Sequence, residues 1–175
     1  MPSNTQRGAD NQQERQIGWI VGFVDGEGTF SVSLIKNPTT ASGWQVFPEF
    51  VITQGARSFY ALEAIRGFFG CGKIYCNRRF DNHREDLYRY CVRSIKDLET
   101  VIVPFFREHP LQTAKQKDFE IFQKILGLMK QGTHRANSGL RKIAGLIETM
   151  NRRKPARYLA SSETIRRAPQ GTAKI

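Results

Sequence analysis

The chain has 175 residues and a hydrophobic content of 39%, which suits one globular domain and excludes wholesale disorder. Its formal net charge is +11, of which +8 falls between residue 131 and the C-terminus. This asymmetry favours a polyanionic partner, a nucleic acid rather than a membrane. Residues 1–15 are expected to be a flexible polar leader, 16–168 a single domain and 169–175 a tail. The leader has no apolar signal segment, so we expect a protein that is not secreted. The three cysteines are an odd number, which favours a reducing compartment, either the cytoplasm or an organellar matrix.

The first predicted element is a helix from Ile17 to Asp25, with glycines four residues apart: Gly18 and Gly22 within it and Gly26 directly after it. Side chains four apart lie one above the other on a helix, and glycine costs a helix interior about 1 kcal/mol relative to alanine. We therefore expect a second helix to approach this face until the two backbones nearly touch. Glu27 follows between two glycines, where a partner helix brings a second acid beside it.

Sequence periodicity then predicts four strands and a series of helices. The predicted strands begin at Thr29 and continue with Trp44–Gln54, Lys73–Phe80 and Leu87–Val92. The predicted helices are Phe59–Phe69, Ile95–Phe106, Asp118–Met129 and Leu140–Met150, with a short last helix capped by Ser161 or Ser162. The order α-β-β-α-β-β-α predicts an α+β fold: helices cover one face of a four-stranded antiparallel sheet and leave the other face free.

The free face of this sheet is predicted to be polar, so that it offers donors and acceptors to base edges in the major groove. The residues assigned to DNA on this face are Ser31, Ser33, Gln45, Glu49, Lys73, Tyr75, Asn77, Arg79 and Arg89, and Arg93 lies on the same side. Pro48 indicates that part of strand two is an edge or a bulge. Cys76 and Cys91 are expected to fill the sheet core.

Residues 20–28, with the sequence IVGFVDGEG, resemble the LAGLIDADG motif of homing endonucleases at each of its nine places. The family usually has Asp where this chain has Glu27, so the acid is kept on a stem one methylene longer. The resemblance implies an αββαββα fold whose free sheet face forms a saddle over double-stranded DNA. It also implies a sequence-specific, metal-dependent endonuclease of the homing type.

Two further segments resemble the active-site periphery of the family. Gln54 at the end of strand two resembles the family's peripheral glutamine, and residues 115–117, with the sequence KQK, resemble its basic triplet. A peripheral arginine of the family has no clear counterpart, because Ser58 occupies the matching position and Arg57 lies next to it.

The resemblance assigns roles to these residues. The carboxylate of Glu27 and the carbonyl of Gly26 offer hard oxygen ligands for Mg²⁺, for which Mn²⁺ is expected to substitute. Gln54 is expected to position water and Lys115 to stabilise charge on the phosphoryl oxygens. Further contacts to DNA are assigned to basic residues outside the sheet: Lys117, Arg152, Arg153 and Lys154.

The chain has one complete motif. Residues 143–151 mimic a second one, but Met150 stands at the position of the acid and only 24 residues follow Asn151, too few for a second repeat. One motif per chain implies a homodimer that joins Gly18, Gly22 and Gly26 to their symmetry mates and reads a long pseudo-palindromic site. Two alternatives stay open: an intron RNA-splicing maturase on the same scaffold, and a non-catalytic DNA-binding regulator.

Overall fold

The computed structural model describes residues 4–77 and 86–150, and side chains from residue 11 onward. These residues form a four-stranded antiparallel sheet with strand order β1-β2-β4-β3 and with helices packed on one face, which confirms the predicted α+β fold. None of the described helices is both long enough and apolar enough to span a membrane.

The bounds of most elements agree with the periodicity of the sequence. The strands are β1 Gly28–Lys36, β2 Trp44–Gly55, β3 Lys73–Asn77 and β4 Leu87–Val92. The helices are α1 Asn4–Glu27, α2 Phe59–Phe69, α3 Ile95–Asp97, α4 Val103–Glu108, α5 Lys115–Lys130 and α6 Asn137–Glu148. Strand β3 is described only as far as Asn77, so the predicted extension to Phe80 lies outside the described residues, as do the predicted tail and its last helix.

Two helical predictions need correction. Helix α1 begins at Asn4 and not at Ile17, so the residues assigned to a polar leader are helical from Asn4 onward. The predicted helix 95–106 is interrupted by a π-helical turn, Leu98–Ile102, between α3 and α4. Pro104 follows this widened turn; it has no N–H to donate to the preceding turn and its ring crowds it, so regular α-helical bonding is broken there.

The core lies between the sheet and the helices and is centred on Phe30 of β1. This fully buried ring contacts Phe50 on β2, Phe106 on α4, and Phe119 on α5, with ring centroids 5.1–5.4 Å apart. Aromatic pairs at such distances add to the stabilisation that burial itself provides. The cluster therefore fixes the first residues of β1, which continue directly from the end of α1.

The passage from α1 into β1 requires glycine. A Cβ atom on Gly28 would lie 2.6 Å from Cγ1 of Val24 and 2.9 Å from its carbonyl oxygen, closer than real Cβ atoms approach. Val24 is fully buried. Since Gly28 can approach this helix turn and no larger residue can, Glu27 is held at a fixed place between helix and sheet.

The register of the sheet separates its two faces. Strand β2 is central: it pairs with β1 over 44–52 and with β4 only over 50–55, so the β4 side of β2 is a free edge at Pro48, as predicted. Cys91 is buried as expected, but beside Val51 on the open face. Cys76 is exposed, contrary to the prediction, because it lies near the end of the edge strand β3.

The segment that mimics a second motif packs on the body of the protein, as expected of an amphipathic helix. Leu140, Ile143 and Ala144 of α6 are fully buried, and Met150 beyond the helix is buried too. The three cysteines are all free, so none of them forms a disulfide.

Candidate active site and nucleic-acid interface

One face of α1 is open surface in the single chain. Gly18, Gly22 and Gly26 are exposed, and a Cβ atom built on any of them would meet nothing within 4 Å. Trp19 beside them is 41% exposed, whereas Ile20 on the other side of the helix is fully buried. The structure thus leaves free the face for which the sequence predicts a second helix.

Glu27 is the last residue of α1, and its side chain is exposed. Among the described residues it makes no hydrogen bond or ion pair. Its carboxylate is therefore available to a ligand, and its assignment as the catalytic acid stays a prediction.

The carboxylate of Asp25, two residues earlier, is fully hydrogen-bonded, in contrast to that of Glu27. Its carboxylate accepts hydrogen bonds from the backbone N–H of Gln112 at 2.7 Å and of Thr113 at 3.2 Å, and from the Thr113 hydroxyl at 2.7 Å. Burial acts to raise the pKa of Asp25, but these bonds and the charge of Lys115 outweigh it, so the pKa is lowered. Asp25 thereby fastens the segment before α5 to the end of α1, a role that the sequence pattern does not reveal.

Lys115 is the first residue of α5 and reaches back to α1. Its Nζ donates a hydrogen bond to the backbone carbonyl of Val24 at 2.9 Å. Burial lowers the pKa of Lys115, while the negative charges of Asp25 and Glu27 act against this shift. The bond to Val24 places the amine of Lys115 at the last turn of α1, the turn that ends at Glu27.

The other peripheral residues lie at the end of β2. Gly28 pairs with Ile52, so Gln54 extends past the start of β1 on the side from which α1 arrives. Gln54 is half-buried and makes no hydrogen bond to Glu27 or Lys115 within the described residues. Arg57 lies in the short helical turn Ala56–Ser58 that follows, and the role of the family's arginine remains unassigned. Lys117 is exposed on the first turn of α5.

The open face of the sheet carries the predicted polar set. The register places these residues on the side away from the helices: Ser31, Ser33, Gln45, Glu49, Lys73, Tyr75, Asn77 and Arg89. Most of their chain neighbours are buried or half-buried on the other side, for example Val32 and Phe50. Arg79, Arg152, Arg153 and Lys154 lie outside the described residues, so their assignments remain predictions.

A network that the sequence does not reveal lies at the middle of this face. Oε1 of Glu49 lies 3.4 Å from Nη2 of Arg89, and Oε2 accepts a hydrogen bond from Nε of Arg93 at 2.9 Å. The guanidinium carbon of Arg93 lies 5.6 Å from the ring centroid of Phe47 and 5.2 Å from that of Tyr75. The bond to Glu49 raises the pKa of Arg93. The network could be found only once the strand register was known.

The described residues include no group of three or more His, Cys, Asp or Glu side chains that could hold a metal ion. At the end of α1, the described residues offer the exposed carboxylate of Glu27, with the carbonyl of Gly26 before it. These are hard oxygen donors of the type that Mg²⁺ accepts, but they are too few to complete its octahedral shell.

Comparison with known proteins agrees with this architecture. The sequence profile of the LAGLIDADG endonuclease family matches residues 20–126. A probable intron-encoded endonuclease of Neurospora crassa is 32% identical over 134 residues, which cover 75% of this chain and 26% of that protein. The chain thus spans about a quarter of the length of such curated relatives.

Two solved structures are similar over most of the chain. The crystal structure of the homing endonuclease I-TnaI matches with a TM-score of 0.77 and 40% identity, over 85% of this chain and 97% of that one. The I-LtrWI LAGLIDADG homing endonuclease, solved bound to target DNA, matches with a TM-score of 0.73 and 33% identity, over 79% of this chain and 45% of that one.

Proposed function

The chain belongs to the LAGLIDADG endonuclease family, and on this premise we propose that it is a sequence-specific homing endonuclease that makes a metal-dependent double-strand break in DNA. The observation that carries the proposal is the exposed carboxylate of Glu27 at the end of a helix whose glycine face is open. A protein that only bound DNA would have no need of a free acid at this place.

The active form in this proposal is a homodimer. The open face of Gly18, Gly22 and Gly26 is the same surface on each copy, as a two-fold contact requires. The fit to I-LtrWI supports it, because this chain covers 45% of that DNA-bound protein and two copies account for its length. Dimerisation along α1 brings together two Glu27 side chains, one from each protomer.

The donor set of this chain, one carboxylate and one carbonyl, fits a hard divalent cation. The Glu27 carboxylate and the Gly26 carbonyl would hold it. When bound, such a cation supplies Lewis-acid chemistry: it activates water and neutralises charge at the leaving oxygen. Lys115 keeps two further N–H donors beyond the one given to Val24, and these stabilise charge on the phosphoryl oxygens. Gln54 orients water from the end of β2.

Recognition belongs to the open face of the sheet. A strand pair is narrow enough to enter the major groove, where each base pair presents a distinct pattern of donors and acceptors. The side chains of Lys73, Tyr75 and Asn77 project from one edge of this face and Ser31 and Ser33 from the other. In the dimer, each protomer covers one half-site of about 10 bp.

The test is selection of cleaved molecules from a random double-stranded DNA library, with Mg²⁺ and with a chelator, together with the mass of the protein in solution. We expect a two-fold pseudo-symmetric consensus, cleavage only with the metal, and a particle of two chains. Selective binding without cleavage would identify a regulator. Selection of folded intron RNA in preference to DNA would identify a maturase.

A further inference from the structure

Glu49 stands at the centre of the open face, between two arginines from neighbouring positions of the sheet. Its side chain is only 16% exposed, whereas those of Arg89 and Arg93 are 39% and 40% exposed. The acid is thus covered by the two basic groups that it binds, and these present their outer parts to solvent. Each of its two oxygens has a different arginine as its partner.

This arrangement changes the role that Glu49 can have. A carboxylate reads cytosine by accepting a hydrogen bond from the exocyclic amine. Here such a contact requires Glu49 to leave an arginine, and breaking a partly buried ion pair leaves a charge without its partner. Glu49 is therefore better suited to hold the two arginines than to contact a base.

Arg93 is restrained on more than one side. Its Nε is bonded to Glu49, and its guanidinium plane lies within cation–π range of Phe47 and Tyr75. The two terminal nitrogens of a guanidinium group held in this way form a planar fork with fixed direction. Such a fork matches the N7 and O6 acceptors of guanine, the commonest specific contact in the major groove.

We propose that Arg89 and Arg93 are guanine-reading residues and that Glu49 is the positioning residue that holds both of them in the reading geometry. The proposal rests on the proposed function, because it concerns the sequence preference of that same DNA-binding face. Arg93 becomes a specificity-determining residue, and Glu49 acts on DNA only through its two arginines. Side chains ordered before binding lose less conformational entropy when they bind.

The shared carboxylate also limits where the two guanines can be. Both guanidinium groups bond to the same side chain, so their bonded nitrogens lie within about 9 Å of each other. Base pairs are spaced by about 3.4 Å along the helix axis, so the bonded nitrogens span about three steps and the outer, reading nitrogens serve positions within about four steps of each other. We expect two preferred guanines within this interval in each half-site.

The test is a binding titration of the full chain against all single-base-pair variants of the selected half-site, for the native protein and for Glu49→Gln. We expect Glu49→Gln to reduce guanine preference about five- to tenfold at two positions together. Affinity for random DNA should stay the same or rise, because a negative charge is removed from the interface. Arg93→Lys and Arg89→Lys, which keep the charge but lose the fork, should each affect only one of these positions.

Glu63→Gln is the matched control: it removes the same charge from an exposed i,i+3 pair with Arg66 on α2, and guanine preference should not change. Unchanged guanine preference in Glu49→Gln, or the disappearance of a cytosine preference in its place, would overturn the inference while leaving the proposed function intact. A native protein that selects no sequence at all would refute both. Thermal unfolding of each variant shows whether a change in preference reflects a failure to fold.

Discussion

Side chains at the end of α1 are held mainly by backbone groups, whereas those at the centre of the open face are held by one another. Asp25 accepts from two backbone N–H groups and from the Thr113 hydroxyl, and Lys115 donates to a backbone carbonyl, so most of these contacts depend on the fold. Glu49 and Arg93 depend on each other and on two aromatic rings. In the proposed endonuclease, the catalytic residues therefore depend on the fold, whereas the sequence preference can change through a few coupled substitutions.

The largest effect is expected at Glu27. Glu27→Gln keeps the shape of the side chain but removes the charge offered to a cation, so cleavage should fall by at least about 10²–10³-fold. Binding to the target should stay within about twofold, because the sheet face is untouched. Single-turnover cleavage and equilibrium binding measure the two effects, with Glu27→Asp as the control that should retain part of the activity. Undiminished cleavage by Glu27→Gln would break the assignment of chemistry to the end of α1.

The next effect is expected at the glycine face. Gly22→Leu should abolish the dimer and cleavage with it, because the added side chain forces the two helices apart. Gly127→Leu is the control, since Gly127 is also an exposed helical glycine with nothing within 4 Å of a Cβ atom. Both variants should fold, and each gains up to about 1 kcal/mol of helix propensity. Light scattering and cleavage of both variants provide the measurement; a Gly22→Leu dimer would contradict the proposed interface.

Asp25 tests whether the backbone attachment positions Lys115. Asp25→Asn weakens three hydrogen bonds to the segment before α5, so we expect a loss of about 1–3 kcal/mol in unfolding free energy and about tenfold slower cleavage. The pKa of Asp25 is lower in the folded protein than in the unfolded chain, so its ionised form stabilises the fold at any pH above the pKa of the unfolded chain. This stabilisation is lost as the pH falls through the pKa of the folded protein. The difference between native protein and variant should therefore shrink in acid, which denaturant titrations at several pH values can follow. A difference in unfolding free energy that stays constant with pH would contradict the stabilising role of the ionised Asp25.

Single changes on the periphery of the open face should have smaller and more local effects. Lys73→Ala or Asn77→Ala should cost about 1–3 kcal/mol on the target and change the preferred base at one position of each half-site. Both residues lie on the edge strand β3, away from the shared carboxylate of Glu49. Binding to single-base-pair variants measures the effect. A simultaneous change at several positions would show that the whole face, and not only its centre, is coupled.

The smallest effect on sequence preference is expected from the basic segment beyond the described residues. Joint replacement of Arg152, Arg153 and Lys154 by alanine should weaken binding to target and random DNA about equally. The slope of log affinity against log salt should flatten by about one unit for each phosphate that the variant no longer neutralises. Titrations at two salt concentrations on both kinds of DNA give the answer. A changed base preference in this variant would refute the assignment of the basic segment to phosphate contacts and of the sheet face to base contacts.

Much of the fold follows from local pattern. Helix α2 has the predicted bounds because an apolar residue recurs there every third or fourth position. Strand β4 has them because it is a short segment rich in aromatic and β-branched residues. The first part of α1 could not be predicted because residues 4–16 are almost wholly polar and show no apolar periodicity. Cys76 was misplaced because alternation gives the face of a strand but not whether that face is covered at its end.

The site was predictable to different degrees. Glu27 stands out because it ends a glycine-spaced apolar helix. Lys115, which reaches the same end of α1, is 88 positions away in the sequence, so only the family resemblance could assign both residues to one site. The role of Asp25 is hidden in the sequence because two of its three hydrogen-bond donors are the backbone N–H groups of Gln112 and Thr113, which no residue pattern reveals. The pairing of Glu49 with Arg93 requires the register of β2 against β4.

Helix α1 ends at Glu27 and strand β1 begins at Gly28, with no loop between them. In the proposed dimer, the catalytic acid Glu27 and the DNA-contacting strand β1 therefore belong to one rigid segment of the chain. One base pair inserted at the centre of the target moves the half-sites apart by about 3.4 Å and rotates them by about one tenth of a turn. No flexible loop between α1 and β1 can absorb that change. The spacing of the two half-sites is therefore fixed together with the spacing of the two cleavage positions, and a change in one requires a change in the other.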